Sequence, residues 1–356
     1  MSTDIVTIIP DTAFAQTPDS RQRTSVCVSL GASTFAQGSA GAVYSYNDYL
    51  TKRVSVAFTP ELDAKVLSWF KIPGAPALYL LELGTAGTVA GVATYLQNGT
   101  KPVPYSVICP TAWNTDEALK TLAQTYATNA AQVYFAIDVL PAGSFFAGIK
   151  SVWAVAKPAG SPATEDPAAG LAALIASYNL SPSQQMTSVR YSYMPGFTAF
   201  VPTKLQRNAL LLNRVNWIDN GKEAGLPTVS LLENGVASDG LRLGFWYSTN
   251  WAQINIERDL SAAVINGSAD SENPLFYDQD GINRLQQVAQ ATVNRGISFG
   301  LFAAAPKVAA VSFAEYKATN PADVAAGIYG GLSVTLEPEK GFSAITLYFT
   351  VSNIAL

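Results

Sequence analysis

Val133-Tyr134-Phe135-Ala136-Ile137-Asp138 decides the fold class. Five apolar residues run without interruption to a terminal acid. A run so short and so rich in aromatic and branched side chains reads as a strand buried on both faces. Working outward, Tyr105-Ser106-Val107-Ile108-Cys109 and Ala77-Leu78-Tyr79-Leu80-Leu81-Glu82-Leu83 have the same character, and 24–30 is a further strand. Between them lie amphipathic helical patterns. Thr59-Pro60 opens one, with proline at the first helical position and Leu62, Val66, Leu67 and Phe70 on one face. Asn114 with Glu117 gives a capping-box signal ahead of Leu119, Leu122, Ala123 and Tyr126. Strands alternating with such helices predict an α/β (α+β) chain, with layered sheets covered by flanking helices.

The stretch 142–166 is rich in Gly, Ala and Pro and is expected to be a loop or a small insertion. Asp166-Pro167 then starts a helix with Leu171, Leu174, Ile175 and Tyr178 on its buried side. A strand is expected over 188–193, ended by Met194-Pro195-Gly196, and Thr203 with Gln206 caps a following helix. The segments define 21–214 as a first α/β domain and 215–340 as a second. The second is expected to hold strands at 228–232, 241–247, 253–256 and 297–302. It also holds a long helix near 280–295, where Ile282, Leu285, Val288, Ala289 and Val293 recur at helical spacing. Asn320-Pro321-Ala322-Asp323 starts a last short helix.

Both ends are β-prone. Ile5-Val6-Thr7-Ile8-Ile9 is stopped by Pro10, and a polar linker follows, so 1–20 reads as an arm. Ile345-Thr346-Leu347-Tyr348-Phe349-Thr350-Val351 alternates strictly and makes 341–356 a C-terminal β arm. A terminal strand can pair with its own sheet or with another molecule.

Composition turns the functional question towards assembly. The chain of 356 residues contains no histidine, which removes the commonest proton shuttle and metal ligand at neutral pH. Charged residues make up 13% and apolar ones 49%, against about 25% charged in ordinary soluble chains. Such a surface suits large permanent interfaces between copies. A net charge of -4 without any basic cluster argues against nucleic acid as a direct partner. No apolar run reaches the roughly 20 residues of a membrane span, and the first residues lack the pattern of a signal peptide. Cys27 and Cys109 read as buried free thiols.

The motifs of catalysis are weak. Gly84-Thr85-Ala86-Gly87-Thr88-Val89-Ala90-Gly91 lacks both the Walker lysine and the dinucleotide spacing. No Gly-x-Ser-x-Gly elbow occurs, and a Ser-His-Asp triad is impossible without histidine. Glu82 with Asp138, or Asp278 with Asp280, could form a glycosidase pair. Asp270, Glu272, Asp278 and Asp280 could offer oxygen ligands, but their spacing is not that of an EF-hand. Trp246, Tyr247 and Trp251 are expected to flank a short polar turn, and Tyr191 and Tyr193 to alternate on one strand; core or subunit seam is the stronger reading of these rings. No catalytic residue, cofactor or metal is assigned.

The order of segments resembles the contractile tail sheath proteins of tailed bacteriophages over nearly the whole chain. The resemblance is carried by Trp69-Phe70, the 77–83 strand, Tyr126 leading to 133–138, and Ser188-Val189-Arg190-Tyr191-Ser192-Tyr193-Met194-Pro195-Gly196. Ile282-Asn283 through Val293, Gly296 to Phe302, Tyr316 and Asn320-Pro321-Ala322-Asp323 complete it. It implies a non-enzymatic subunit of stacked hexameric rings around a tail tube. The lattice shortens to drive the tube through a cell envelope and consumes no nucleotide. Residues 215–340 would face the tube, and the two arms would add strands to neighbouring copies. The implied partners are other copies, the tail tube protein, and baseplate and tail terminator proteins, without nucleic acid contact or membrane insertion. The implied location is the virion, assembled in the bacterial cytoplasm. The chain is shorter than the larger sheath proteins. Alternatives are another tail, baseplate or capsid component, the sheath of a bacterial contractile injection system and, more distantly, a glycoside or ester hydrolase.

Overall fold

A computed structural model describes residues 21–338, apart from 55–59, 99–102, 129–131, 142, 224–225 and 304–306. The first unit runs β1 (Ser25–Ser29), β2 (Ala40–Val43), α1 (Tyr46–Lys52), α2 (Pro60–Lys71), β3 (Leu78–Glu82), α3 (Val89–Gln97), β4 (Ser106–Ile108), α4 (Glu117–Thr128), β5 (Tyr134–Val139), β6 (Val152–Ala156) and α5 (Pro167–Ser177). The six strands form one sheet in the order β2-β3-β1-β4-β5-β6. All neighbours run parallel except β2, which pairs antiparallel with β3 at the edge.

Each central strand is buried on both faces, so successive residues feed two different cores. Cys27, Leu78, Leu80, Ile108, Tyr134 and Trp153 face α2 and α5. Val26, Val28, Leu81, Val107, Phe135 and Ile137 face α3 and α4. This is the three-layer arrangement that uninterrupted apolar strands require. Helix α5 sits deep enough that every residue from Pro167 to Ala176 is buried.

Local signals account for the helix starts. Asp166 Oδ1 accepts from the Ala169 amide at the head of α5. Thr203 and Gln206 form the expected reciprocal capping box on α6 (Lys204–Leu212). At α4 the cap is Asp116 rather than Asn114: Asp116 Oδ1 accepts from Ala118 N, while Asn114 ends a preceding 3-10 turn. Cys27 and Cys109 are free and buried.

The remainder departs from expectation in several places. The stretch 142–166 is not simply a loop, because it contains β6, buried throughout and paired with β5. Its alanines have little strand preference of their own and become a strand through that pairing. No regular strand forms over 188–193. Tyr191 has φ of 69° in a turn, and Tyr193 makes only an isolated bridge to Leu231. A hairpin of β7 (Trp217–Glu223) and β8 (Leu226–Glu233) follows, its first strand unanticipated and its second covering 228–232.

Helix α7 (Leu243–Ala269) then replaces both strands expected at 241–247 and 253–256. It returns antiparallel as α8 (Gln279–Ser298), the long helix read from the sequence. The pair is fastened by Arg295 Nη2 and Thr292 Oγ1 on Asp259 Oδ2, at 2.6 and 2.7 Å, and by Trp251 against Phe299 and Phe302. The expected strand at 297–302 is the end of α8 and a turn through Gly300, with Phe302 bridged to Pro338. The chain continues through β9 (Lys307–Ala310), α9 (Phe313–Thr319), α10 (Pro321–Ala325) and β10 (Leu332–Thr335). Among the described residues, no helix is long and apolar enough to cross a membrane.

Helix α7 ties these elements to the sheet. Asn250 is buried and donates to Tyr105 Oη and Tyr134 Oη, at 2.9 and 2.7 Å. Leu243, Tyr247 and Trp251 join the same core as α2 and α5.

Candidate functional site

Open parallel sheets carry ligands beyond the carboxyl ends of their strands, where the order switches direction. Here that place lies between β1 and β4, since β3 and β4 flank β1 on opposite sides. The protein fills it with its own charges. Lys65 Nζ lies 2.7 Å from both Asp166 Oδ2 and Glu61 Oε1, and its side chain is 2% exposed. Glu61 Oε1 also accepts from Thr111 N beyond β4, and Asp138 Oδ1 accepts from Ala168 N in the first turn of α5. One ammonium thus ties α2 to the head of α5 and, through Glu61, to the carboxyl end of β4.

The electrostatics are structural rather than catalytic in pattern. Burial opposes the charge on Lys65, but Asp166 and Glu61 outweigh it and raise the ammonium's pKa. Burial likewise opposes the Glu61 carboxylate, and Lys65 holds it below the ordinary range. Asp138 goes the other way: burial and the neighbouring Asp166 charge push it well above the usual carboxyl value, against Lys65 and Lys157. Among the described residues its Oδ2 has no hydrogen-bond partner, and it lies 3.6 Å from Lys157 Nζ.

The acids considered as a glycosidase pair are not brought together. Glu82 and Asp138 lie on β3 and β5, with β1 and β4 between them. Three strand spacings of about 4.8 Å separate them by roughly 14 Å, beyond the ~5–9.5 Å such pairs use. Glu82 is consumed locally by Ser29 Oγ, the amides of Gly31, Ser33 and Gly84, and Ser33 Oγ. Burial opposes its charge, but those donors hold its pKa low. Asp278 Oδ1 caps α8 through Gly281 N. Among the described residues, no three His, Cys, Asp or Glu side chains are grouped to hold a metal. Trp246, Tyr247 and Trp251 are on one helix, not astride a turn.

A second arrangement lies in the last described segment of the chain. Strands β9 and β10 form an antiparallel pair, Leu332 opposite Ala310 and Thr335 opposite Lys307. Among the described residues they pair with each other alone, and Gln286 Nε2 of α8 donates to the Val308 carbonyl. Half-buried Leu332 and Val334 alternate with exposed Ser333 and Thr335. An aromatic clasp holds the pair: Tyr316 Oη donates to Asp323 Oδ2 at 3.0 Å and accepts from Gly330 N at 2.9 Å, and Tyr329 Oη donates to Val311 O. Sequence reading missed β9 and β10, although the alternation of Leu332-Ser333-Val334-Thr335 is legible. The arm residues Ile5 to Ile9 and Ile345 to Val351 lie outside the described residues.

No protein-family model matches the chain, and no curated protein matches it in sequence. Solved structures do. A chain of the anti-feeding prophage baseplate superposes with a TM-score of 0.72 at 16% identity, over 99% of this chain and 99% of that one. The helical sheath of the same prophage in its contracted state gives 0.71 at 16% identity, over 98% and 99%. The sheath tail protein of Listeria innocua gives 0.61 at 11% identity, over 81% and 89%. The chain shares the fold of these contractile-tail sheath and baseplate structures.

Proposed function

We propose that this chain is a structural subunit of a contractile sheath, polymerising as stacked hexameric rings around a tail tube. The observation that carries the reading is the end-to-end match, about 99% of both chains, to components of a contractile device. A shared catalytic fold with added domains would match over part of the length only. The two-stranded β9–β10 pair, which has no further strand among the described residues, supports it physically. A strand added to an exposed edge contributes a row of backbone hydrogen bonds whatever the side chains. The chain leaves the described region at Pro338, three residues after β10 ends, and then reaches the alternating residues 345–351. In this reading those residues, and 5–9 at the other end, pair with β9–β10 of neighbouring copies. Residues 1–20 and 341–356 are the arms, 215–340 the inner domain facing the tube, and 21–214 the outer one.

Contraction then needs no catalysis. Strand pairing persists while rigid bodies rotate about flexible connections, and the energy is stored in contacts made at assembly. Tail tube, baseplate and terminator proteins are the proposed partners. The device is a phage tail, assembled in a bacterial cytoplasm. A baseplate component is the second reading, favoured by the similarity to a baseplate chain.

The test is negative-stain electron microscopy of the full chain and of a variant lacking 345–356, each with and without purified tail tubes. Hollow cylinders of stacked rings from the full chain alone are expected. Discrete particles in both samples, with bare tubes, would overturn the proposal.

A further inference from the structure

The crevice at the switch in strand order is filled by Lys65 and its acids. A second opening lies further along the carboxyl end of the same sheet, a pocket of about 480 Å3. Val139, the last residue of β5, lines it. Asn114 and Thr115 reach it from the connection between β4 and α4, and Phe145 and Phe146 from the connection between β5 and β6. Leu140 also lines it and is 59% exposed. Ala142, outside the described residues, brings only a methyl side chain to that connection. Loops that follow parallel strands are where open α/β sheets hold small molecules.

Two properties of the lining restrict what it can hold. Among the described residues, no lining side chain is charged, so an ion entering it would lose its water without compensation. Ser238 lines the pocket at 1% exposure, and its Oγ has no hydrogen-bond partner. Its amide donates to Val152 O and its carbonyl accepts from Gly148 N, so the hydroxyl alone is left unsatisfied. Native folds rarely leave a buried polar atom in that state. A water molecule would satisfy the hydroxyl but would leave the apolar walls hydrated.

We propose that this pocket binds an uncharged, largely apolar small molecule whose single hydroxyl or carbonyl pairs with Ser238 Oγ. A hydroxyl both donates and accepts, so either group on the ligand suits it. The apolar body lies against Val139, Phe146 and Ala154. Ala154 belongs to β6, and the amide of Ser238 is bonded to Val152 on the same strand. The sheet thus fixes the polar group and the apolar wall relative to each other, which is what orients a ligand in a mostly apolar site. The inference goes beyond the sheath reading and needs no neighbouring copy.

The test titrates the unassembled full chain with 2-naphthol and with naphthalene, which has the same rings without the hydroxyl, and follows the fluorescence of each probe. Saturable binding of 2-naphthol with a dissociation constant of about 1 mM or tighter is expected for a molecule of this size. Naphthalene should bind about three- to tenfold more weakly. Ser238→Ala should weaken 2-naphthol by about the same factor and leave naphthalene unchanged. Ala147 is an exposed lining residue, and Ala147→Trp should fill the space and abolish binding of both probes. Urea unfolding of each variant without probe checks that it is folded. Absence of saturable binding, equal affinity for the two probes, or binding untouched by Ala147→Trp would overturn the proposal. Loss of 2-naphthol binding on assembly into cylinders would give the pocket to a neighbouring copy and overturn it too, leaving the sheath reading standing.

Discussion

Replacing Lys65 by methionine tests whether the charge cluster at the carboxyl end of the sheet holds the fold together. The substitution keeps most of the alkyl stem of a side chain that is 2% exposed and removes the ammonium 2.7 Å from two carboxylates. Glu61 is 40% exposed and can recover water. Asp166 is 1% exposed and cannot. It would keep its cap on Ala169 N while its other oxygen is stranded. Breaking a buried pair from one side costs about 3–5 kcal/mol, mostly through the charge left behind. That is a large part of the ~5–15 kcal/mol that stabilises a typical domain. Equilibrium urea unfolding of the unassembled chain, followed by tryptophan fluorescence, measures it. Adding Asp166→Asn to Lys65→Met keeps a capping oxygen and removes the stranded charge, so about 2 kcal/mol should return. A loss below about 1 kcal/mol in the single variant, or a further loss in the double one, would refute the reasoning.

Two further outcomes follow from other buried groups. Asp138 is raised by burial and by Asp166, so between its unfolded value near ~3.9 and its higher folded value the native state holds more protons. Its contribution is therefore full at low pH and is lost as pH rises through that window. Asp138→Asn should match the unaltered chain near pH 4 and become progressively more stable than it towards pH 8; parallel urea profiles would sink this. Tyr316→Phe removes the hydroxyl shared by Asp323 and Gly330 and should cost about 1–2 kcal/mol. Hydrogen exchange should quicken first at 307–310 and 332–335, and uniform exchange would argue against a clasp.

The sequence by itself determined the elements whose signals are local or periodic. Short runs rich in branched and aromatic residues specified β1, β3, β4 and β5, because a strand covered on both faces needs no regular polar alternation. Asp166-Pro167 and Thr203 with Gln206 marked helix starts through bonds that close within four residues. The spacing from Ile282 to Val293 specified α8. The β-prone termini and low charge raise the expectation of assembly.

Tertiary structure alone decided the rest, through partners distant in the chain. Ser248-Thr249-Asn250 reads as a turn between aromatic strands until Tyr105 and Tyr134, more than a hundred residues away, supply acceptors for Asn250. With that polar group satisfied, the segment continues as one helix. Val152 to Ala156 is a strand because β5 lies beside it. Lys65, on the buried face of α2, is tolerated there because Asp166 arrives from a segment about a hundred residues later. A buried polar group costs little only when its partner is present, and the partner's position is a property of the folded chain.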